Sequence, residues 1–416
     1  MRLSPPASVR GLPRETYVLA LVAFCVALGF GIVAPAVPLF AREFGVGPTA
    51  AGAVVSAFAL MRLLSALAAG RLVDRVGERT ALLAGLTVVA VSSLAAGLSV
   101  NYPQLLILRG VGGIGSAVFT IASTSLLLRI ASSAQRGRTQ SVYRSGFLLG
   151  GIVGPAFGGA VIGISLRAPF FLYAGTLLLA VLAAGTLLPK RLPPAPAPQA
   201  EATGLGEPSG DPLPVKADAP ETTRLPLREA VGDPAYQAAL AGNFATGFAV
   251  LGVRSTLLPL FVVEKLELAP GWIGVSFAVG ALVQALLLLP AGKAVDDVGR
   301  RPTLVGGGVV TALALVLLAF AVGPVSLLLA TAVLAAGSAF LGVAPAAIVG
   351  DVVEGRGGTP IAFWQMSSDL GSVTGPLAAG VLISSTSYAV ALLVCAAVVA
   401  VCAALGLRVP RVPTAA

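Results

Sequence analysis

The sequence predicts an all-α integral membrane protein, with twelve transmembrane helices in two pseudo-symmetric bundles of six. Three observations carry this. The chain is 56% hydrophobic and only 11% charged, whereas a soluble domain carries roughly a quarter charged residues. Its apolar residues come in long runs rather than in the alternation of a barrel strand. The turns and glycine motifs of residues 1–188 return in the same order in residues 235–416.

A spanning helix needs about 20 largely apolar residues to cross a hydrocarbon core of about 30 Å. Runs that meet this lie at 17–40, 49–72, 80–100, 103–128, 139–164 and 168–188. The second set lies at 235–262, 271–294, 302–322, 325–350, 359–385 and 387–407. The first run is too long for a signal-peptide core of about 7–15 residues and has no clear cleavage site after it, so it is read as a span. Between the two sets, residues 189–234 are rich in Pro, Ala, Glu and Asp. Such a stretch cannot bury enough apolar surface to fold and reads as a flexible cytoplasmic linker.

The net charge of +9 belongs to topology, not to nucleic-acid binding, because the basic residues fall between apolar runs and form no single stripe. Twelve spans put both termini on one side. Segments on that side hold twenty Arg and Lys residues, and the opposite loops hold only Arg42, Arg167 and Lys265. The positive-inside rule makes the richer side cytoplasmic. Abundant Ala and Gly, with far more Arg than Lys, suggest a GC-rich bacterial genome. The expected location is therefore a bacterial inner (plasma) membrane.

Enzyme chemistry has little to work with. The chain has no His, and it lacks HExxH, GxSxG and P-loop motifs. Cys25, Cys395 and Cys402 lie inside apolar runs without metal-ligand spacing and read as small core residues. No cofactor and no metal are expected.

The repeat is specific. After span two the chain reads GRLVDRVGER, with Gly70, Asp74, Arg75, Gly77 and Arg79. After span eight it reads GKAVDDVGRR, with Gly292, Asp296, Gly299 and Arg300. Span five carries GGIVGPAFGG, with Gly150, Gly154, Pro155, Gly158 and Gly159, and span eleven repeats its Gly-Pro pair at Gly375 and Pro376. Paired repeats around a midplane site are the architecture of alternating-access carriers.

On these motifs the chain resembles the major facilitator superfamily across nearly its whole length. Gly70, Asp74, Arg75, Gly77 and Arg79 are similar to that family's loop motif between helices two and three. Arg109, Gly113 and Gly115 are similar to its fourth-helix motif. The span-five glycines resemble a motif associated with antiporters. Pro35 and Pro38, within GFGIVAPAVPLF, resemble a first-helix motif of the drug:proton antiporter branch. The resemblance implies that Asp74 latches onto the start of span eleven and holds the cytoplasmic side closed. Glu78 departs from the pattern, standing where the family usually has a basic residue. The span-five stripe reads as close helix packing, with Pro155 bending the span and the glycines forming a hinge and seal between the halves.

Ionisable residues inside spans are costly in hydrocarbon and are functional candidates by default. These are Arg62, Arg109, Arg144, Arg254 and Asp369. Arg62 and Arg254 read as snorkelling or locally paired. The resemblance links Arg109 to the proton or substrate pathway. Arg144 and Asp369 lie on pseudo-symmetric spans, so an Arg144–Asp369 pair in the cavity is one arrangement the sequence allows. Asp369 is the leading candidate for proton coupling: burial disfavours its charged form and a nearby guanidinium favours it, so its charge can follow the conformational cycle. A structural ion pair is the equal alternative. Asn243, Gln284, Tyr143, Trp364 and Gln365 are candidates to line the cavity, with Phe30, Phe58, Phe147, Phe248 and Phe277 as its apolar walls.

The expected activity is secondary active export of small lipophilic or amphipathic molecules, with protons as the candidate exchanged ion. An exporter of one sugar, amino acid or metabolite is the first alternative. A non-transporting membrane sensor or scaffold is the second. The expected partners are a small-molecule substrate, protons and the lipid bilayer, without nucleic acid, and a monomer is expected to suffice.

Overall fold

The computed structural model describes residues 12–131, 135–189, 226–353 and 358–410. Residues 190–225 of the expected 189–234 linker, and both chain ends, lie outside the described residues. The end of that stretch is not loop as expected, because Leu227–Gly232 is a short helix and Asp233 caps the helix that starts at Pro234. Every regular element among the described residues is helical. The first half comprises α1 (Arg14–Val33), α2 (Ala36–Arg42), α3 (Pro48–Val76), α4 (Glu78–Gly97), α5 (Tyr102–Ile130), α6 (Arg136–Ile162) and α7 (Ala168–Leu187). The second comprises α8 (Leu227–Gly232), α9 (Pro234–Thr246), α10 (Arg254–Leu260), α11 (Gly271–Asp297), α12 (Arg300–Ala319), α13 (Pro324–Val353), α14 (Gly358–Ser385) and α15 (Tyr388–Leu405).

Two expected spans are broken helices. Span one divides into α1 and α2 at Pro35, where the missing amide proton interrupts the helical ladder. Span seven runs α9, a π-helical segment Gly247–Val253, α10 and a second π-helical segment Phe261–Lys265. Local chemistry sets several other boundaries. Asn101 accepts from the Gln104 amide at 3.0 Å at the start of α5. Ser387 does the same for the Val390 amide at the start of α15. Such caps satisfy amides that helix geometry leaves unpaired.

Eleven of the described helices are long and apolar enough to cross a membrane. The twelfth expected span is α14, which is long enough at 28 residues but less apolar. It carries Gln365, Ser367, Ser368, Asp369 and Ser372. The reason is its position: α14 packs against α3 of the other half and against the π-helical segment of span seven, so protein covers much of a helix that hydrocarbon would otherwise meet.

Within the first half α6 packs on α1 along a stripe of glycines. A side chain at Gly150 or Gly154 would collide with the α1 carbonyl of Phe24 or Leu28. Without Cβ atoms the two backbones touch. Gly371 and Gly375 of α14 meet the Phe244 and Phe248 carbonyls of span seven in the same way. The glycine motifs therefore pack mainly inside each half. Their reach between halves is confined to a few residues: Gly159 lies on Gly274 of α11, and Pro376 lies on Gly52 of α3.

The halves meet most closely toward one end. Arg42 Nε donates to Glu264 Oε1 at 2.7 Å, and Tyr388 Oη donates to Glu264 Oε2 at 2.7 Å. Thr49 and Ser384 pair at 2.9 Å, and Ser56 Oγ donates to the Val373 carbonyl at 2.6 Å. From this end α3 and α14 run together as far as Arg62 and Asp369, about halfway along each helix. The Gly70–Arg79 and Gly292–Arg301 turns lie at the opposite end.

Candidate functional site

A cavity of about 310 Å³ lies between the halves, at the lower end of the range typical of small-molecule sites. The first half contributes Phe30 and Gly31 of α1, Phe58 and Arg62 of α3, Arg109 and Thr120 of α5, Phe147 and Gly151 of α6 and Tyr173 of α7, among others. The second contributes Val250, Leu251, Arg254 and Ser255 of span seven, Phe277 of α11 and Ser372 of α14. On α6 the lining residues Phe147, Gly151 and Pro155 recur every fourth position, so one face of the helix looks inward.

Three arginines face this cavity, two of them lying over phenylalanine rings and the third held by an ion pair. Arg109 is only 5% exposed. Its guanidinium carbon sits 4.7 Å from the centroid of the Phe58 ring, and its Nε is buried without a hydrogen-bond partner. Arg254 sits 5.3 Å from the centroid of Phe277, and its Nε is likewise unpartnered. The π-helical segment ending at Val253 immediately precedes it. An extra residue in that turn rotates the later part of the helix about its axis, a device common at functional sites. Arg62 donates through Nη2 to Asp369 Oδ1, forming an ion pair between α3 and α14. Both side chains remain partly exposed, at 33% and 23%.

The structure therefore corrects several sequence expectations. The partner of Asp369 is Arg62 rather than Arg144, which is exposed on α6 and does not line the cavity. Arg254 is a cavity residue and not a snorkelling one. None of the five polar candidates lines the cavity. The Tyr143 hydroxyl pairs with Ser123 Oγ at 2.7 Å. Asn243 donates to the Trp364 carbonyl at 2.7 Å, joining α9 to α14. Trp364 is buried, Gln284 is half-buried and Gln365 is exposed. Of the apolar candidates, Phe30, Phe58, Phe147 and Phe277 line the cavity, while Phe248 stacks on Phe244 with centroids 5.8 Å apart. Tyr173 and Ser255 are lining residues that the sequence does not single out. Tyr173 sits in an almost wholly apolar run, and its one cue is the hydroxyl.

At the turns the two halves carry matched but inverted ion pairs. Gly77 and Gly299 both adopt positive φ, at 80° and 108°, a region that glycine enters without steric cost. The residue after each turn reaches the end of the next-but-one helix. Arg129 Nη1 donates to Glu78 Oε2 at 2.8 Å, and Arg300 Nε donates to Asp351 Oδ2 at 2.9 Å. Each pair spans 51 residues, so they are pseudo-symmetric counterparts with acid and base exchanged. Glu78, the departure from the family pattern, is explained by Arg129. Arg300 also lies 3.6 Å from Asp296. Arg79 donates to the Gly185 carbonyl at 2.6 Å. Asp74 and Arg75 are exposed, and residues 354–357, which precede α14 where the latch was expected, lie outside the described residues.

Comparison with known proteins agrees with this architecture. Multidrug resistance protein 2 of Bacillus subtilis (strain 168) is 29% identical over 169 residues, which are 41% of this chain and 42% of that protein. Quinolone resistance protein NorA of Staphylococcus aureus (strain N315) is 30% identical over 168 residues, 39% of this chain and 42% of that protein. The chain thus spans 42% of the length of each of these curated relatives. Among solved structures, a bacterial homologue of the human lysosomal transporter Spinster, inward-facing and unoccupied, superposes with a TM-score of 0.72. It is 16% identical and covers 94% of this chain and 95% of its own. A POT family transporter in complex with 5-aminolevulinic acid gives a TM-score of 0.75 at 12% identity, with 96% of each chain covered. These two likenesses are of fold alone. The profile of the Major Facilitator Superfamily matches residues 19–283 and 244–416 and so takes in both halves. With eleven described helices fit to span a bilayer and that match over both halves, this multi-pass membrane protein belongs to the Major Facilitator Superfamily, a family of transporters rather than enzymes.

Proposed function

We propose that the chain is a secondary exporter that moves small amphipathic molecules by alternating access, with proton binding at Asp369 driving the cycle. The observation that carries this reading is the Arg62–Asp369 pair at the rim of the cavity. It joins one half to the other, at the inner end of the seal between α3 and α14. A proton on Asp369 removes the charge that holds Arg62. The seal loses its innermost tie while a proton taken up from the outer side is bound, and it re-forms as Asp369 gives that proton up to the cytoplasm. Resistance proteins among the relatives support efflux as the direction.

In this reading the Gly70–Arg79 and Gly292–Arg301 turns are cytoplasmic, as the twenty-to-three distribution of basic residues favours. Both termini are cytoplasmic, the membrane is the bacterial inner (plasma) membrane, and one chain forms the working unit. The structure then corresponds to a cytoplasm-open state, closed outward by Arg42, Glu264 and Tyr388. Cargo enters from the cytoplasm or inner leaflet and meets Phe30, Phe58, Phe147 and Phe277. Asp74 is free to bond when the cytoplasmic side closes. The test is flux in proteoliposomes under an imposed pH gradient. Asp369→Asn is expected to abolish gradient-driven flux while leaving substrate exchange at equal pH. Gradient-driven flux at the wild-type rate in that variant would remove proton coupling from Asp369.

A further inference from the structure

We infer that the cavity selects organic anions: molecules with a flat apolar body and a carboxylate, sulfonate or phosphate head, the head seated on Arg109 and Arg254. The inference rests on the exporter reading for its direction of transport, and on the cavity alone for its chemistry.

The cavity is unbalanced in charge. Among the described residues Arg62, Arg109 and Arg254 line it, no Asp or Glu does, and the one carboxylate paired with a lining arginine is Asp369. Three guanidiniums and one carboxylate leave an excess of two positive charges. Guanidinium stays protonated in proteins. A buried charge without a counter-ion is costly, and pairing it relieves that cost. Neither Arg109 nor Arg254 has a carboxylate partner among the described residues, and each keeps a buried Nε with no acceptor. What each has is an aromatic face, Phe58 or Phe277, over which the guanidinium lies. A ring stabilises a cation through its quadrupole while leaving the N–H edge of the guanidinium available for a bidentate acceptor. One arginine comes from each half, so an anion seated on both belongs to both halves at once. Tyr173, Thr120 and Ser255 add hydroxyls to the same wall, and Phe30, Phe119 and Phe147 supply the apolar bed. A lipophilic cation, by contrast, meets a wall of its own sign.

The experiment uses purified full-length protein and three matched probes: 2-naphthoate, 2-naphthamide and 2-naphthylmethylammonium. Binding is measured by calorimetry in detergent, and flux of the same three in proteoliposomes. The expected result is that 2-naphthoate binds at least about tenfold tighter than the amide, or about 1.4 kcal/mol, with the ammonium compound weakest. Arg254→Gln is expected to erase most of that preference. Arg254→Lys, which keeps the charge but not the fork, should keep part of it. Arg109→Gln repeats the test should Arg254→Gln fold poorly. Equal or tighter binding of the amide or ammonium probe overturns the inference. So do absent naphthoate binding and a full preference in folded Arg254→Gln. Expulsion of the ammonium compound with no naphthoate binding leaves the exporter reading intact and removes the anion site. Selective naphthoate binding without flux of any solute does the reverse.

Discussion

Removing the charge of Asp369 gives the sharpest prediction, because it changes one contact between the halves and leaves the packing of each half alone. The Arg62–Asp369 pair is the innermost of the side-chain bonds between α3 and α14 among the described residues, with Ser56–Val373 and Thr49–Ser384 further toward the closed end. An exposed ion pair contributes about 0.2–1 kcal/mol, and losing one partner of a fully buried pair costs about 3–5 kcal/mol. With side chains 33% and 23% exposed, this pair belongs between those limits after discounting for solvent, at about 1–2 kcal/mol. The pair is made in the state described here. If the other state lacks it, Asp369→Asn should shift the balance between states by a factor of roughly 5–30. The assay is double electron–electron resonance with spin labels replacing Arg71 and Lys293, one at the end of α3 and one at the end of α11, in a background lacking Cys25, Cys395 and Cys402. The short-distance population should grow in Asp369→Asn, and in Arg62→Gln as well. The double variant should add little, since each single change removes the same bond. An unchanged distance distribution, or a shift toward longer distances, would refute the reasoning.

Other perturbations have equally definite outcomes. Glu78→Arg should lower the melting temperature by opposing Arg129, and Glu78→Arg with Arg129→Glu should restore it, giving the first half the polarity of the Arg300–Asp351 pair in the second. Each partly exposed pair is expected to contribute about 0.2–1 kcal/mol. Gly154→Leu should reduce folded protein, because its side chain collides with the Leu28 carbonyl, whereas Gly151→Leu meets open space and should fold but narrow the cavity and cut flux. Comparing detergent-soluble yield with flux per molecule separates the two. Glu264→Gln, which weakens the bonds from Arg42 and Tyr388, should raise labelling by membrane-impermeant reagents of a cysteine replacing Ser56. Asp74→Asn should cut transport while leaving the amount and melting temperature of folded protein unchanged, because Asp74 is exposed in this conformation; unimpaired transport would exclude the latch.

Much of the fold was legible because a bilayer imposes length and hydropathy on every crossing segment. The break at Pro35 had its cue in the sequence. The π-helical segment Gly247–Val253 did not; it lies where Gly371, Gly375 and Pro376 of α14 approach span seven. The cavity was harder to read. Tyr143 and Asn243 are polar residues in apolar runs and looked like lining, yet both spend their hydrogen bonds on neighbouring helices. A helix surrounded by protein and lipid has no solvated face, so hydrophobicity does not report which side looks inward. The Arg62–Asp369 contact joins residues 307 positions apart. It is fixed by how the halves dock, which no local pattern encodes. The inverted turn pairs were half legible: the departure at Glu78 was visible, and its compensation by Arg129 needed the packing of α4 against α5.

The two surplus charges of the cavity also place it in the electric field of the membrane. When the carrier turns from cytoplasm-open to outward-open, its central charges pass from the potential of one compartment to that of the other. Against an inside-negative voltage, each unit of positive charge so moved costs about 2.3 kcal/mol per 100 mV. An empty cavity with two unmatched arginines is thus held facing the cytoplasm, which is the orientation proposed for this structure. A bound monoanion halves that cost, and a dianion cancels it. Voltage would then keep the unloaded carrier at its loading station, and the cargo's own charge would release it.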